Sequence, residues 1–388
     1  MLDTVLPQEM QTICCFEDTA DKRKYYYIRG KNGKAWLFPC ASFRVLKVAL
    51  AIYQPVVNKG KGFKLLFPYF ASNRFFRKLI GKYIQVAVVE ICLREEFKAW
   101  VEQVFRIANP VLSFYLGYPN IIRKSTCQVS DEKSNILGYA KFSDDTVGSN
   151  MIRVEADFLQ QYTEKVDGIP RRLDFRSDLL GLTILAQTTI KTRNDSERVN
   201  ILNQQHLRFL QQLREKTKVT MNYRNTRYYL NQQHYLETAL VNTAIEDAEI
   251  IRTATEIINN RLGDTEVAFS LAHRDFKPPN ICFANGRIMV FDWEVASNEY
   301  PPFYDQFEFV TLDWRNQRMP AKKIWGAVET YIADHLVPRY TDYTQDMLAL
   351  YFLMFQTDRT LLWLSLNPGK LIHEDTALIE EIIDSQRF

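Results

Sequence analysis

Nothing in this sequence is apolar for long enough to cross a bilayer. The best candidate, Val48–Val57, falls short of the roughly 18–20 residues that a spanning helix needs, and Lys47 and Lys59 stand beside it. The opening residues, MLDTVLPQEM, lack the basic and apolar regions of a secretory signal, so none is expected. Cysteine is sparse: six in 388 residues, scattered, with Cys14 and Cys15 adjacent rather than spaced as metal ligands. That argues against a disulfide framework or a zinc site and for reduced thiols in a cytosolic setting. The five histidines form no ligand pair, and there is no internal repeat or low-complexity tract.

Acid is missing from one long stretch. Between Lys22 and Lys82 stand fifteen Lys and Arg and no Asp or Glu, so the net charge of +3 conceals a remainder with 34 basic and 46 acidic residues, a balance of −12. The stretch is also rich in aromatics, among them Tyr25, Tyr26, Tyr27, Trp36, Phe63, Phe67 and Phe70. We therefore expect an N-terminal basic, aromatic-rich domain over 1–109. Such a mixture suits an anionic membrane surface, a polyanionic acceptor, or the chain's own acidic remainder. No named nucleic-acid motif is present, and nucleic acid is not an expected partner. The expected location is the cytoplasm, with peripheral contact to the inner face of a membrane as one use of the basic stretch.

Local patterns suggest the elements. KYYYIRGKNGKAWLFP reads as two strands around Asn32-Gly33, a hairpin signal. FRVLKVALAIYQP is a short strand or helix, NKGKGFK a loop, and FFRKLIGKY a basic-aromatic stretch. REEFKAWVEQVFRIA has helical spacing in Phe97, Val101, Val104 and Phe105. SFYLGY, RKSTCQVS and NILGYAKFS read as strands, Asn150–Tyr162 as a helix with Ser149 as N-cap, and Leu179–Ile190 as a buried strand. After Arg193 the chain turns mainly helical, with long periodic stretches over Gln232–Asn260 and after Ala321. Strands followed by helices predict an α+β fold.

LAHRDFKPPNICFANGRIMVFDWE carries the chemistry. Asn285-Gly286 between apolar runs predicts a two-residue type I′ hairpin. Pairing Ala284 with Arg287 brings Asn280 and Asp292 to the open end of that hairpin, beside Asp275. Two carboxylates and an amide oxygen are hard ligands that suit Mg²⁺ carrying phosphate. Upstream, Lys141 is flanked by apolar residues on a predicted strand, and Glu155 lies on the apolar face with Met151, Phe158, Leu159 and Tyr162. A carboxylate pointing inward needs a partner, and Lys141 is the candidate.

His273-Arg274-Asp275, with Asn280 five residues after the aspartate, resembles the H-R-D-x-x-x-x-N catalytic loop of kinases. The resemblance implies Asp275 as the group acting on the acceptor hydroxyl, Asn280 and Asp292 as metal ligands, and Lys141 with Glu155 as the phosphate-side pair. D-F-G and A-P-E are absent. FDWEVASNEYPPFYD instead resembles the aminoglycoside phosphotransferase and choline kinase family, in which Asp305 would be a carboxylate supporting the loop. The glycine-rich loop is reduced to Gly117 in SFYLGYPNIIRKS, which fits that family better than protein kinases.

The family implies a protein-kinase-like two-lobe fold, here with a nucleotide lobe over 110–190 and a catalytic lobe over 191–388. It implies ATP and Mg²⁺ as cofactors, and adenine read by backbone groups near Ala186 and Thr188. Two residues depart from it. Arg274 stands where the family usually has a small residue, and Lys277, a candidate catalytic residue beside Asp275, is more like a protein kinase. The expected activity is transfer of the γ-phosphoryl of ATP to a hydroxyl of a small molecule, namely a sugar, glycoconjugate or lipid headgroup. A protein Ser/Thr kinase and a non-catalytic kinase-fold scaffold are the alternatives.

Overall fold

In the computed structural model, residues 6, 8–15, 22–30, 33–53, 58–71, 85–117, 124–191, 199–240, 243–367 and 372–385 are described. The chain divides into two compact units, Met1–Arg198 with Ile281–Glu294, and Val199–Asn280 with Val295–Phe388.

The first unit is β-rich. Its elements run α1 (Gln8–Ile13), β1 (Cys14–Cys15), β2 (Arg23–Arg29), β3 (Ala35–Pro39), α2 (Phe43–Ala49), α3 (Asn58–Phe70), β4 (Gln85–Leu93), α4 (Glu95–Phe105), β5 (Val111–Tyr115), β6 (Ser125–Ser130), β7 (Ile136–Ser143), α5 (Thr146–Tyr162), β8 (Arg172–Leu179) and β9 (Leu182–Gln187). The strands make one nine-stranded sheet in the order β1-β4-β2-β3-β5-β6-β7-β9-β8. Side chains alternate across a strand, and β2 is buried on both faces. Tyr25 and Tyr27 join Phe97, Trp100, Phe114, Cys127 and Phe142 in one cluster. Tyr26 and Ile28 join Phe38, Leu46, Leu50 and Phe67 in another.

This sheet corrects the boundary expected near Asn109. β3 pairs directly with β5, Trp36 opposite Tyr115 and Leu37 opposite Phe114, so residues before and after 109 share one sheet and one core. The charge break that suggested a boundary is a property of the surface; apolar alternation in the strands sets the core. NKGKGFK is the start of α3 rather than a loop. Burial of Phe67 and the packing of Phe63 outweigh the poor helix propensity of Gly60 and Gly62. α5 begins at Thr146, capped by Asp145 accepting from the Gly148 N–H at 2.8 Å, four residues before the expected start. The strand expected over Leu179–Ile190 is shorter, and β8 precedes it. Leu180 and Gly181 turn between the two with φ of 59° and 78°. FFRKLIGKY, Asn32 and most of the Gly117 loop lie outside the described residues.

The hairpin β12 (Ile281–Ala284) and β13 (Arg287–Val290) belongs to the first unit, not to the expected 191–388 lobe. The Val290 N–H donates to the Gly168 carbonyl at 2.8 Å. Its register is as predicted, Ala284 opposite Arg287, and Asn285 and Gly286 have φ of 53° and 71°.

The second unit is mainly helical: α6 (Gln204–Thr217), α7 (Arg227–Thr238), α8 (Ile245–Leu262), α9 (Tyr304–Asn316), α10 (Ala321–Tyr331), α11 (Gln345–Leu366) and α12 (His373–Ser385). The helically periodic stretch Gln232–Asn260 is divided between α7 and α8. A small sheet, β10 (Val219–Asn222), β11 (Glu266–Ala272) and β14 (Ser297–Tyr300), has β11 at its centre. α11 is buried along almost its whole length, among Ile251, Phe307, Trp325 and Ile379. Among the described residues no helix is long and apolar enough to cross a membrane. A β-rich unit and a mainly helical unit together are the α+β arrangement expected from the sequence.

Gly138 tests the packing of β7. A Cβ there would stand 2.3 Å from the Gln187 carbonyl oxygen and 2.8 Å from the Phe105 ring. Gly138→Ala should cost about 1–3 kcal/mol through overpacking. Thermal unfolding measures it, and an unchanged midpoint would mean that β7 and β9 do not approach as described.

Candidate active site

Two constellations of the expected residues form, one in each unit. In the first, Lys141 lies near the end of β7, between Thr126 of β6 and Leu185 of β9. Its Nζ is 2.6 and 2.8 Å from the two Glu155 carboxylate oxygens and 2.7 Å from Asp292 Oδ1. Glu155 is wholly buried and Lys141 is 7% exposed. Burial alone would lower the lysine pKa, but the charges of Asp292 and Glu155 outweigh it and hold the ammonium above its ordinary range. Asp292 follows β13 with φ of 75°, a left-handed conformation that costs a non-glycine residue energy and recurs at functional sites. Trp293 next to it stacks on Phe158 at 4.2 Å and donates Nε1–H to the Val290 carbonyl at 2.8 Å. The Trp293 N–H donates to Glu155 at 3.4 Å. Glu294 pairs with Lys124. One carboxylate oxygen from each of Glu155, Asp292 and Glu294 lies within 4.8 Å of the others.

The candidate adenine positions sit on β9 and just beyond it. Ala186 is paired on both sides, with Ala140 and Asp174. The Thr188 N–H donates to the Arg171 carbonyl at 2.9 Å, and the Thr188 hydroxyl accepts from the Arg171 N–H at 2.8 Å.

In the second unit, β11 leads into the His273–Asn280 loop. Asp305, in the first turn of α9, accepts the His273 N–H at 2.8 Å and the Arg274 N–H at 2.9 Å. Burial pushes its carboxyl up to about 7, against the opposing pull of those two donors. Asp275 is held from two sides. The Asn280 Nδ2 donates to Asp275 Oδ2 at 2.8 Å and to its carbonyl at 2.9 Å, and Lys277 Nζ is 2.7 Å from Oδ1. With its Nδ2 spent on Asp275, the Asn280 amide presents its oxygen as the atom able to ligate a cation. Lys277 also lies over the Trp363 ring, 5.8 Å from its centre.

Arg274 has φ of 64° and is 4% exposed. Its guanidinium donates to both Asp358 oxygens at 2.9–3.3 Å, and the Tyr300 and Tyr304 hydroxyls donate to the same carboxylate at 3.2 and 2.7 Å. Burial would lower the arginine pKa, and Asp358 more than reverses that. Asp358 was not expected from the sequence, and Trp293 and Glu294, which stand in the FDWE segment that carries the resemblance, were expected in no particular role. For Asp358 a signal exists: with Arg359 it is the only charge in the run Met347–Leu366.

The β-rich unit thus carries a buried Lys–Glu–Asp cluster, and the helical unit carries a braced HRD loop. Residues 180–324 match the family model described as the phosphotransferase enzyme family. The resemblance read from HRDFKPPN and FDWEVASNEYPPFYD is thus matched over that segment by a family model whose enzyme type is phosphotransferase. Among solved structures, a thermostable mutant of aminoglycoside phosphotransferase APH(4)-Ia is 13% identical, with 74% of this chain and 98% of that one covered and a TM-score of 0.49. Choline kinase LicA from Streptococcus pneumoniae is 13% identical, with the same coverage of both chains and a TM-score of 0.47. No curated protein matches the chain.

Two substitutions test the charge clusters. Lys141→Met strands the wholly buried Glu155, whereas Glu155→Gln leaves Lys141 with Asp292. The first should destabilise more, by about 3–5 kcal/mol, and the double variant should cost less than the two singles added. Chemical denaturation of the four proteins measures this, and strict additivity would show that the pair is not coupled. Asp358→Ala should likewise cost about 3–5 kcal/mol by stranding Arg274, with part recovered when Arg274→Met is added. A loss under about 1 kcal/mol, as for an exposed pair, would count against that role.

Proposed function

We propose that the chain transfers the γ-phosphoryl group of ATP to a hydroxyl of a small molecule, namely a sugar, a glycoconjugate or a lipid headgroup. The observation that carries this reading is Lys141, buried yet charged, held between Glu155 and an aspartate in a left-handed conformation. Such a lysine is poised to exchange a carboxylate for a nucleotide phosphate, which a merely structural ion pair has no need to do. Solved structures similar in fold include aminoglycoside phosphotransferase APH(4)-Ia in complex with ADP or AMP-PNP, in line with a nucleoside triphosphate donor.

In this reading Asp275 accepts a hydrogen bond from the acceptor hydroxyl and takes its proton as the new P–O bond forms. The bond from the γ-phosphorus to the bridging oxygen breaks, and ADP leaves. Lys277 and Asn280 hold the Asp275 carboxylate in place, and Asp305 holds the backbone of the loop. Lys141 neutralises the phosphates. Asn280 and Asp292 would hold Mg²⁺, with Glu294 within reach of Asp292; their hard oxygens suit that ion. When bound, Mg²⁺ supplies charge neutralisation to the phosphates. The base would lie along β9 near Ala186 and Thr188. Because the Thr188 N–H is engaged with Arg171, recognition there falls to carbonyl acceptors.

Arg274 and Lys277 were the features that pointed toward a protein acceptor. The Arg274 guanidinium is spent on Asp358 inside the second unit, so Arg274 lends that alternative no support, and Lys277 alone is left to it. A scaffold would not need Lys141, Glu155, Asp275, Asn280 and Asp292 together.

The test is acceptor-stimulated ADP release across a panel of sugars, glycoconjugates and lipid headgroups, followed by Asp275→Asn with the acceptor found. Turnover should fall by about 10²–10⁴-fold, the usual worth of a general base, while MgATP affinity is kept. Near-normal turnover in the variant would overturn the assignment of Asp275.

A further inference from the structure

We propose that the outer face of α3, with the adjoining end of α2, docks on an anionic phospholipid bilayer surface. The helix has two apolar faces, and the fold uses only one. Phe63, Phe67 and Ala71 recur at four-residue spacing, one stripe of a helix. Phe67 and Ala71 are buried in the cluster with Tyr26, Ile28, Phe38 and Leu46, and Phe63 packs against it. On the far side Lys61, Leu65 and Tyr69 form a second four-residue row, and Gly62, Leu66 and Phe70 form the row beside it. Here Leu65 is 67% exposed, Tyr69 61%, Leu66 46% and Phe70 43%. Phe43 of α2, 40% exposed, sets its ring 4.4 Å from that of Tyr69. A Cβ placed on Gly62 would meet nothing within 4 Å. Single exposed apolar side chains are ordinary, but five on neighbouring turns form a patch.

Charge identifies the occupant. Arg44 and Lys47 on α2 and Lys61 on α3 are exposed, with Arg44 donating to the Lys133 carbonyl at 3.0 Å, and no Asp or Glu occurs between Lys22 and Lys82. A second copy of this chain would bring the same cations against themselves in a two-fold contact, which is repulsive. A bilayer with anionic headgroups satisfies both features. Leucine and aromatic side chains sink to the acyl boundary, tyrosine hydroxyls stay at headgroup level, and lysines reach the phosphates. Docking through this face places no demand on which phosphoryl acceptor the chain uses.

The experiment is co-sedimentation of the full-length protein with vesicles of phosphatidylcholine alone and of phosphatidylcholine mixed with phosphatidylglycerol. Binding should appear only with the anionic vesicles and fall as salt is raised. Leu65→Ser with Tyr69→Ser should abolish it while the melting temperature is kept, because both side chains lie outside the core. Lys47→Gln and Lys61→Gln should each weaken it about fivefold. Three results would overturn the proposal: equal binding to both vesicle types, unchanged binding of the Leu65/Tyr69 variant, or no vesicle binding together with a dimer that this variant dissociates.

Discussion

Lys141 carries its charge into a place where only 7% of its surface reaches water, and the first unit is arranged around that fact. Desolvation of an ammonium costs several kcal/mol. It is offset here by two carboxylates from different parts of the chain, Glu155 on α5 and Asp292 after β13. The lysine thereby ties β7, α5 and the hairpin together. Trp293 stacked on Phe158 closes the same joint with apolar area. A buried ion pair is weak evidence for stability, since a well-packed apolar replacement often does as well. Three charged members and a left-handed aspartate are thus better explained by the phosphate chemistry proposed for the site than by folding.

The second unit solves a related problem at its loop. His273, Arg274 and Asp275 must turn sharply out of β11, and Arg274 does so at φ of 64°. Strain of this kind persists only where the surroundings over-determine it. Asp305 binds the two backbone N–H groups of the turn, while Asp358 and two tyrosine hydroxyls hold the arginine side chain. Asp275 is left with its carboxylate set by Asn280 and Lys277, both within five residues of it. The loop's backbone geometry is maintained from inside the unit, and its reactive group from within the loop.

That contrast also explains what could be read from the sequence. The hairpin register was legible because Asn285-Gly286 supplies the two positive-φ positions that a type I′ turn demands. The Lys141–Glu155 pair was legible because strand alternation and helix spacing each point a side chain inward. Asp275 and Asn280 are close in sequence and meet in space. Asp358 stood out only as an isolated charge in an apolar run, and its pairing was not legible: it is 84 residues from Arg274, on a helix with no polar face to mark which side turns inward. The second partner of Lys141, Asp292 at 151 residues' separation, was expected as a metal ligand and not as its ion pair. Separation, more than chemistry, set the limit.

The misread boundary at 109 has a physical consequence of its own. β5 reads VLSFY, with Leu112, Ser113 and Phe114 buried. Without the strands before it, β5 would be the edge of a sheet, offering unpaired backbone and apolar side chains, the pattern that invites aggregation. The N-terminal strands cover that edge and carry the sheet on to β1, two residues long. At the other end stands β8, with Arg172, Asp174, Arg176 and Asp178. A very short strand and a charged one are the two kinds of edge a sheet can safely leave open. The basic segment is therefore part of the first unit's fold, not an appendage, and its inward residues are accounted for by the sheet and its two cores. What the fold leaves unused is the outer side of α3, where apolar exposure and one-signed charge coincide on a helix already anchored by its opposite face.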